Sequence, residues 1–167
     1  MKRVLLVIAI SILTINSAFS EIKLGVGIMT GTKSKIDYKN DASINGGFNT
    51  KLKLDLFDNL FLSSGFSYHL PYKYNSRGDN YTFYNSVINA DLNYNFLDNG
   101  EIVLYGLGGL NLDLLSSKSV INGAEMKQSS SKYNLEFGVG MRIEICYAEI
   151  KLDQNKEQIQ IFIGLYL

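Results

Sequence analysis

Ser67-Tyr68-His69 sets a hydroxyl beside the only histidine of this 167-residue sequence. A hydroxyl becomes a nucleophile when an imidazole within hydrogen-bond reach takes its proton and an acid orients that imidazole. Pro71 stands two places beyond His69, and both Ser67 and His69 fall on the polar side of an alternating segment, away from any lipid substrate. A solvated histidine at the rim of a sheet is the expectation there, not a catalyst. Cys146 is the single cysteine, which excludes an internal disulfide, a Cys-rich zinc site and a Cys-x-x-Cys couple. Gly106-Leu107-Gly108-Gly109 has no helix after it to complete a phosphate cradle and reads as a packing feature. Arg77-Gly78-Asp79 carries the integrin-binding tripeptide, but between Ser76 and Asn80 it is also good turn chemistry. The expectation is therefore a protein that is not an enzyme, with no cofactor and no metal.

Composition narrows the class. Lys plus Arg and Asp plus Glu number 16 each, so no net field points to nucleic acid. Tyr plus Phe reach 20 beside 15 glycines and one proline, a balance that favours strands over helices. Met1-Lys2-Arg3, an apolar run from Val4 to Ile15 and Ala18-Phe19-Ser20 have the three parts of a secretory signal. Residues 1–20 are expected to be that signal peptide, and 21–167 a single domain.

Beyond residue 20 the apolar residues recur with period two, the mark of half-buried strands. Eight segments carry it: 22–30, 48–56, 60–70, 83–96, 102–114, 132–143, 147–153 and 158–167. In 48–56, Phe48, Leu52, Leu54 and Leu56 alternate with Asn49, Lys51, Lys53 and Asp55. In 132–143, Tyr133, Leu135, Phe137, Val139, Met141 and Ile143 alternate with Asn134, Glu136 and Arg142. Polar stretches at 31–46, 71–82 and 115–131 are expected as long loops on one end of the sheet. Tight turns at Asp58-Asn59, Asn99-Gly100 and Glu144-Ile145 are expected on the other.

Alternation shows two faces without saying which is inside. A soluble carrier of lipocalin type, or a β-sandwich, would turn its apolar face inward. A transmembrane barrel turns it to lipid. The apolar face carries no Asp, Glu, Lys or Arg in any of the eight segments, a purity that lipid enforces, because Arg or Lys at mid-depth costs about 2–4 kcal/mol. Gly25, Gly27, Gly65, Gly109, Gly138, Gly140 and Gly164 crowd the polar face, where a narrow lumen needs small residues beside long ones.

The signal sequence, the long and short connections in alternation and the ending Ile159-x-Ile161-x-Ile163-x-Leu165-x-Leu167 together resemble the small eight-stranded outer-membrane β-barrels of the OmpA/OmpX type, over essentially all of 21–167. That ending resembles the C-terminal strand signal read by barrel-assembly machinery, with Tyr166 one place before the usual terminal aromatic. The resemblance implies an all-β, eight-stranded antiparallel up-and-down transmembrane barrel in the bacterial outer membrane. It also implies outer-membrane lipid as solvent, a monomeric state and no nucleic-acid partner. The function expected is surface interaction or envelope integrity, against the alternatives of a lipid-modifying outer-membrane enzyme and a soluble lipocalin-like carrier.

Two groups of residues follow from this reading. Lys51, Lys53, Asp55, Asp91, Glu136 and Arg142 are expected to form a charge network in the lumen, joined by Lys23, Asp113, Glu144, Glu149, Lys151 and Asp153. An eight-stranded barrel is only wide enough for side chains to fill it, so a salt-bridged plug is expected rather than a pore. Tyr72, Tyr74, Arg77, Gly78 and Asp79 are the expected surface-loop binding residues for a host or matrix protein. Phe48, Tyr68, Tyr84 and Tyr133 at one rim, and Tyr94 and Phe96 at the other, are expected as aromatic girdles.

Overall fold

The structure, a computed structural model, describes residues 22–31, 45–76, 79–121, 124–154 and 158–167. The expected signal peptide and most of the first long loop lie outside the described residues. Eight strands run β1 (Ile22–Gly31), β2 (Asn45–Phe57), β3 (Leu60–Ser76), β4 (Asp79–Asp98), β5 (Ile102–Ile121), β6 (Ala124–Ile143), β7 (Cys146–Asp153) and β8 (Gln158–Tyr166). Each pairs antiparallel with its neighbour in sequence, and β1 pairs with β8, so the sheet closes into a barrel.

The turns show how the sequence drives the closure. Between β4 and β5, Asp98 Oδ1 accepts from the Gly100 N–H at 3.0 Å. Asn99 Oδ1 accepts from Glu101 N–H and Ile102 N–H at 3.1 and 2.8 Å. Gly100 sits at φ 85°, which only glycine adopts at little cost. A bulge at Leu70-Pro71 faces Tyr84, placing the one proline where a missing N–H breaks no ladder. A second bulge at Phe96 lets both Phe96 and Leu97 lie on the outer surface.

The apolar face is outside. Ile28, Leu52, Leu92, Phe137 and Ile163 are 60, 51, 49, 50 and 56% exposed, whereas Lys51, Asp91, Glu136 and Lys151 are 2% exposed or less. That is the inverse of a soluble carrier and the pattern of a wall that meets hydrocarbon. Phe48, Tyr84 and Tyr133 ring the upper end of this wall, and Tyr94 and Phe96 the lower, all exposed as expected; Tyr68 is half-buried. Phe57 and Ile145, which the periodicity did not single out, join the lower ring.

Two of the expected long loops are strands. β3 and β4 continue through most of 71–82, and β5 and β6 continue through most of 115–131, leaving only residues 77–78 and 122–123 undescribed at their tips. A bilayer is crossed by about 9–11 residues of tilted strand. β7 and β8, at eight and nine residues, match that length, whereas β4, β5 and β6 have 20 residues each. The upper parts of β3, β4, β5 and β6 therefore stand above the apolar wall as a four-stranded sheet, held by pairs such as Tyr74↔Tyr81, Tyr81↔Ser119 and Ser119↔Met126.

Candidate functional site: a filled lumen under a projecting sheet

Inward-pointing residues fill the barrel in layers. Near the short turns, Phe61, Val103, Tyr105 and Leu107 pack together, with the Phe61 and Tyr105 rings edge to face at 5.2 Å between centroids. Met29, Tyr147, Phe162 and Tyr166 form a second cluster, where the Tyr147 and Tyr166 rings lie 4.8 Å apart. Lumen glycines make room for these rings. A Cβ at Gly140 would overlap the Tyr105 ring, and one at Gly164 would meet the Tyr147 ring and the Val26 carbonyl.

The middle of the barrel is charged. Lys51 is ion-paired with Glu149, which also accepts from the Tyr105 hydroxyl at 2.8 Å. Lys151 Nζ reaches Asp91 at 2.5 Å and Glu136 at 3.2 Å, and stands over the Phe162 ring at 5.3 Å. Asparagines donate to these and to further carboxylates. Asn89 donates to Asp91 at 2.7 Å, Asn111 to Glu136 and Asp153 at 3.4 and 3.3 Å, and Asn134 to Asp113. Buried charges survive only when paired and hydrogen-bonded in this way.

Of the six residues expected to form the network, five lie in or against this interior as partners. Lys51 and Lys53 are buried cations, Asp91 and Glu136 share Lys151, and Asp55 is paired with Lys53 near the short-turn mouth. Arg142 is half-buried beside Lys53 and Tyr166, around a gap too small for a water molecule. Glu144 does not belong: it is exposed in the β6–β7 turn at φ 52°. The two-residue turn forces it out of the alternation. Tyr105, Tyr147 and Tyr166 were missed as lumen residues, although their parity alone, opposite to Leu104, Ala148 and Leu165, assigns them inward.

His69 corrects the expectation of a solvated rim residue. It is 2% exposed, with Ser67 at 5%, both facing the lumen. Gly47 is its partner on β2, where a Cβ would crowd the His69 Cα, and β3 and β4 continue above it. A lipid substrate outside the wall has no access to either side chain. Cys146 is a free, exposed thiol at the start of β7.

Of the expected surface residues, Tyr72 lies in β3 and stacks on Phe83 of β4 at 6.3 Å between centroids. Tyr74 and Asp79 belong to the strands of the same hairpin, and Arg77 and Gly78 lie outside the described residues. The other open part of the sheet is β6, where Ala124 to Tyr133 are exposed throughout. Pairing of β7 to β6 stops at Glu136↔Asp153, followed by one bond from Gln154 N–H to Leu135 O, so above that point this edge faces no described strand.

Comparison with protein-family models finds no match, and comparison with curated proteins finds none either. Solved structures do resemble the barrel. The attachment invasion locus protein Ail of Yersinia pestis superposes with a TM-score of 0.56 at 18% identity, over 87% of this chain and 94% of that one. The N-terminal β-barrel domain of Pseudomonas aeruginosa OprF gives 0.52 at 13% identity, over 88% and 100%. A major outer membrane protein of Thermus thermophilus gives 0.53 at 11%, over 89% and 100%. Together with the inverted faces and the closed strand order, these likenesses settle the architecture: the chain has the fold of the small eight-stranded outer-membrane β-barrels.

Proposed function

We propose that the protein is an integral protein of the bacterial outer membrane that acts in surface interaction, with the four-stranded projecting sheet as its working part. The projecting sheet itself carries this reading. Among the described residues the side chains fill the lumen and leave no evident pore or ligand chamber, whereas five to nine residues of β3, β4, β5 and β6 stand above the outward residues Leu70, Tyr84, Leu114 and Tyr133 that top the wall. Strand pairing holds that surface rigid, so a partner meets a preformed binding face with little ordering cost. The β3–β4 hairpin, with Tyr72, Tyr74, Arg77, Gly78 and Asp79, is the segment assigned to contact a host or matrix protein. The chain acts as a monomer, is inserted by barrel-assembly machinery after removal of residues 1–20, and performs no catalysis.

The test replaces Tyr74–Tyr81 by an Asn-Gly turn and measures adhesion of cells bearing the protein to immobilised matrix proteins. The trimmed barrel should keep its heat-modifiable gel mobility and lose adhesion. Full adhesion by the trimmed protein would refute the assignment, and a steady ionic current through it would replace it with a pore.

A further inference from the structure

The outer face of the projecting sheet changes chemistry in a fixed order with height. Lowest is the wall itself, with Leu110 and Leu114 of β5 exposed. Above Leu114, a groove of about 460 Å³ opens between β4, β5 and β6, lined by Tyr84, Ser116, Ser129 and Ser131 among others. Ser129 Oγ donates to Ser116 Oγ at 3.4 Å across it. One step higher, the register places Lys73, Thr82, Lys118 and Lys127 in a single row across four strands, through the pairs Lys73↔Thr82, Thr82↔Lys118 and Lys118↔Lys127.

Like charges directly opposite each other destabilise a sheet. Lys118 and Lys127 are in that position, and among the described residues Glu125 answers both, at 2.7 and 3.3 Å. Lys73, exposed at the far end, brings the row to three cations against one anion among the described residues. With strands about 4.8 Å apart, the row spans about 14 Å, and it stands about 13 Å along the strand above Leu114. Apolar wall, hydroxyl groove and cationic row therefore follow one another over the height at which acyl chains give way to sugar and then to phosphate.

We infer that this face holds a phosphorylated glycolipid of the surrounding leaflet, with acyl chains on the wall around Leu114, sugar hydroxyls in the groove of Ser116, Ser129 and Tyr84, and phosphate on Lys73, Lys118 and Lys127. Charge complementarity and continuity with the lipid-facing wall select a membrane lipid over a soluble anion. Its sugar and acyl chains have counterparts on the same face. The lipid occupies the outer face of the sheet and leaves the β3–β4 tip free, so the inference goes beyond the adhesion reading and is tested apart from it.

The full-length protein is reconstituted in nanodiscs of phosphatidylcholine doped with lipid A, and lipid retained through detergent extraction is quantified by mass spectrometry. Wild type should retain lipid A over phosphatidylcholine. Changing Lys73, Lys118 and Lys127 to Gln should weaken retention by about fivefold per lysine removed, and changing all three to Arg should restore it. Ser116→Ala with Ser129→Ala should lower retention while the lysines remain. Amine acetylation of the wild type supplies a readout independent of variant folding: Lys73, Lys118 and Lys127 should be protected in lipid A discs and labelled in phosphatidylcholine discs. Equal retention by wild type and the Gln variant, or equal labelling in both discs, would overturn the inference. So would protection of the lysines by soluble sucrose octasulfate with none by lipid A, which would assign the row to a soluble polyanion.

Discussion

Lys51 on β2 and Glu149 on β7 meet across the lumen as an ion pair between positions 98 residues apart, both side chains 2% exposed or less. Removing one member of a buried pair leaves an uncompensated charge, which costs about 3–5 kcal/mol. Lys51→Met should lower barrel stability by about that amount in urea titrations followed by heat-modifiable gel mobility. Adding Glu149→Gln should recover much of the loss, because the neutral amide still accepts from Tyr105. Lys53→Gln should be milder, since its partner Asp55 is 25% exposed and can be hydrated at the mouth.

On the outer wall the penalty should follow depth. Leu52→Arg, Leu92→Arg and Phe137→Arg, at mid-strand, are each expected to destabilise the folded barrel by about 2–4 kcal/mol, and Tyr133→Arg at the upper ring by about 1 kcal/mol or less. Refolding yields into lipid vesicles check the order. Equal effects at all four sites would contradict the membrane position deduced from the wall.

Glu144 is a non-glycine residue at positive φ, in a turn with only Ile145 beside it. An L side chain in that region costs about 1–2 kcal/mol. Glu144→Gly should therefore stabilise the β6–β7 hairpin by up to about 1 kcal/mol after the greater freedom of glycine in the unfolded chain is offset. Glu144→Ala should bring no gain, and slower thermal unfolding of the Gly variant alone is the readout.

Glu125 stands on the projecting sheet above the membrane. Its hydrogen bonds from Lys118 first, and from Lys127, hold its carboxyl below the ordinary value, while Glu125 holds the Lys118 ammonium above its own. A lowered carboxylate contributes its stabilisation above the unfolded pKa and loses it as pH falls through the folded one. Acidification should thus loosen the β5–β6 tip and leave the barrel wall intact. Side-chain carboxyl shifts of Glu125 and hydrogen exchange at Lys118 and Lys127, followed as pH is lowered, would show it. Exchange that stays constant through the Glu125 titration would contradict it.

The wall and lumen were legible in the sequence because lipid and a narrow interior impose opposite chemistries on successive residues. Leu52 and Lys53 cannot trade places. Above the membrane that contrast disappears: in Ser116-Ser117-Lys118-Ser119 both faces meet water, so a strand leaves no period-two trace and reads as a loop. Pro71, at the start of the 71–82 stretch, stands in a bulge of β3 rather than in a loop. The lysine row was equally hidden. Lys73, Lys118 and Lys127 lie on three hairpin strands, and only the pairing register places them side by side. Burial of His69 was illegible for a related reason, since β3 and β4 continue beyond it as strands where a rim was expected.

The unequal heights of the strands give the molecule a front and a back within the plane of the membrane. Toward β3–β6 a neighbour meets an overhanging palisade. Toward β7 and β8, whose strands end at Asp153 and Gln158, the described strands rise no further than a bilayer crossing requires. Rotation about the barrel axis, invisible in a symmetric cylinder, therefore decides which surface a neighbouring membrane protein encounters.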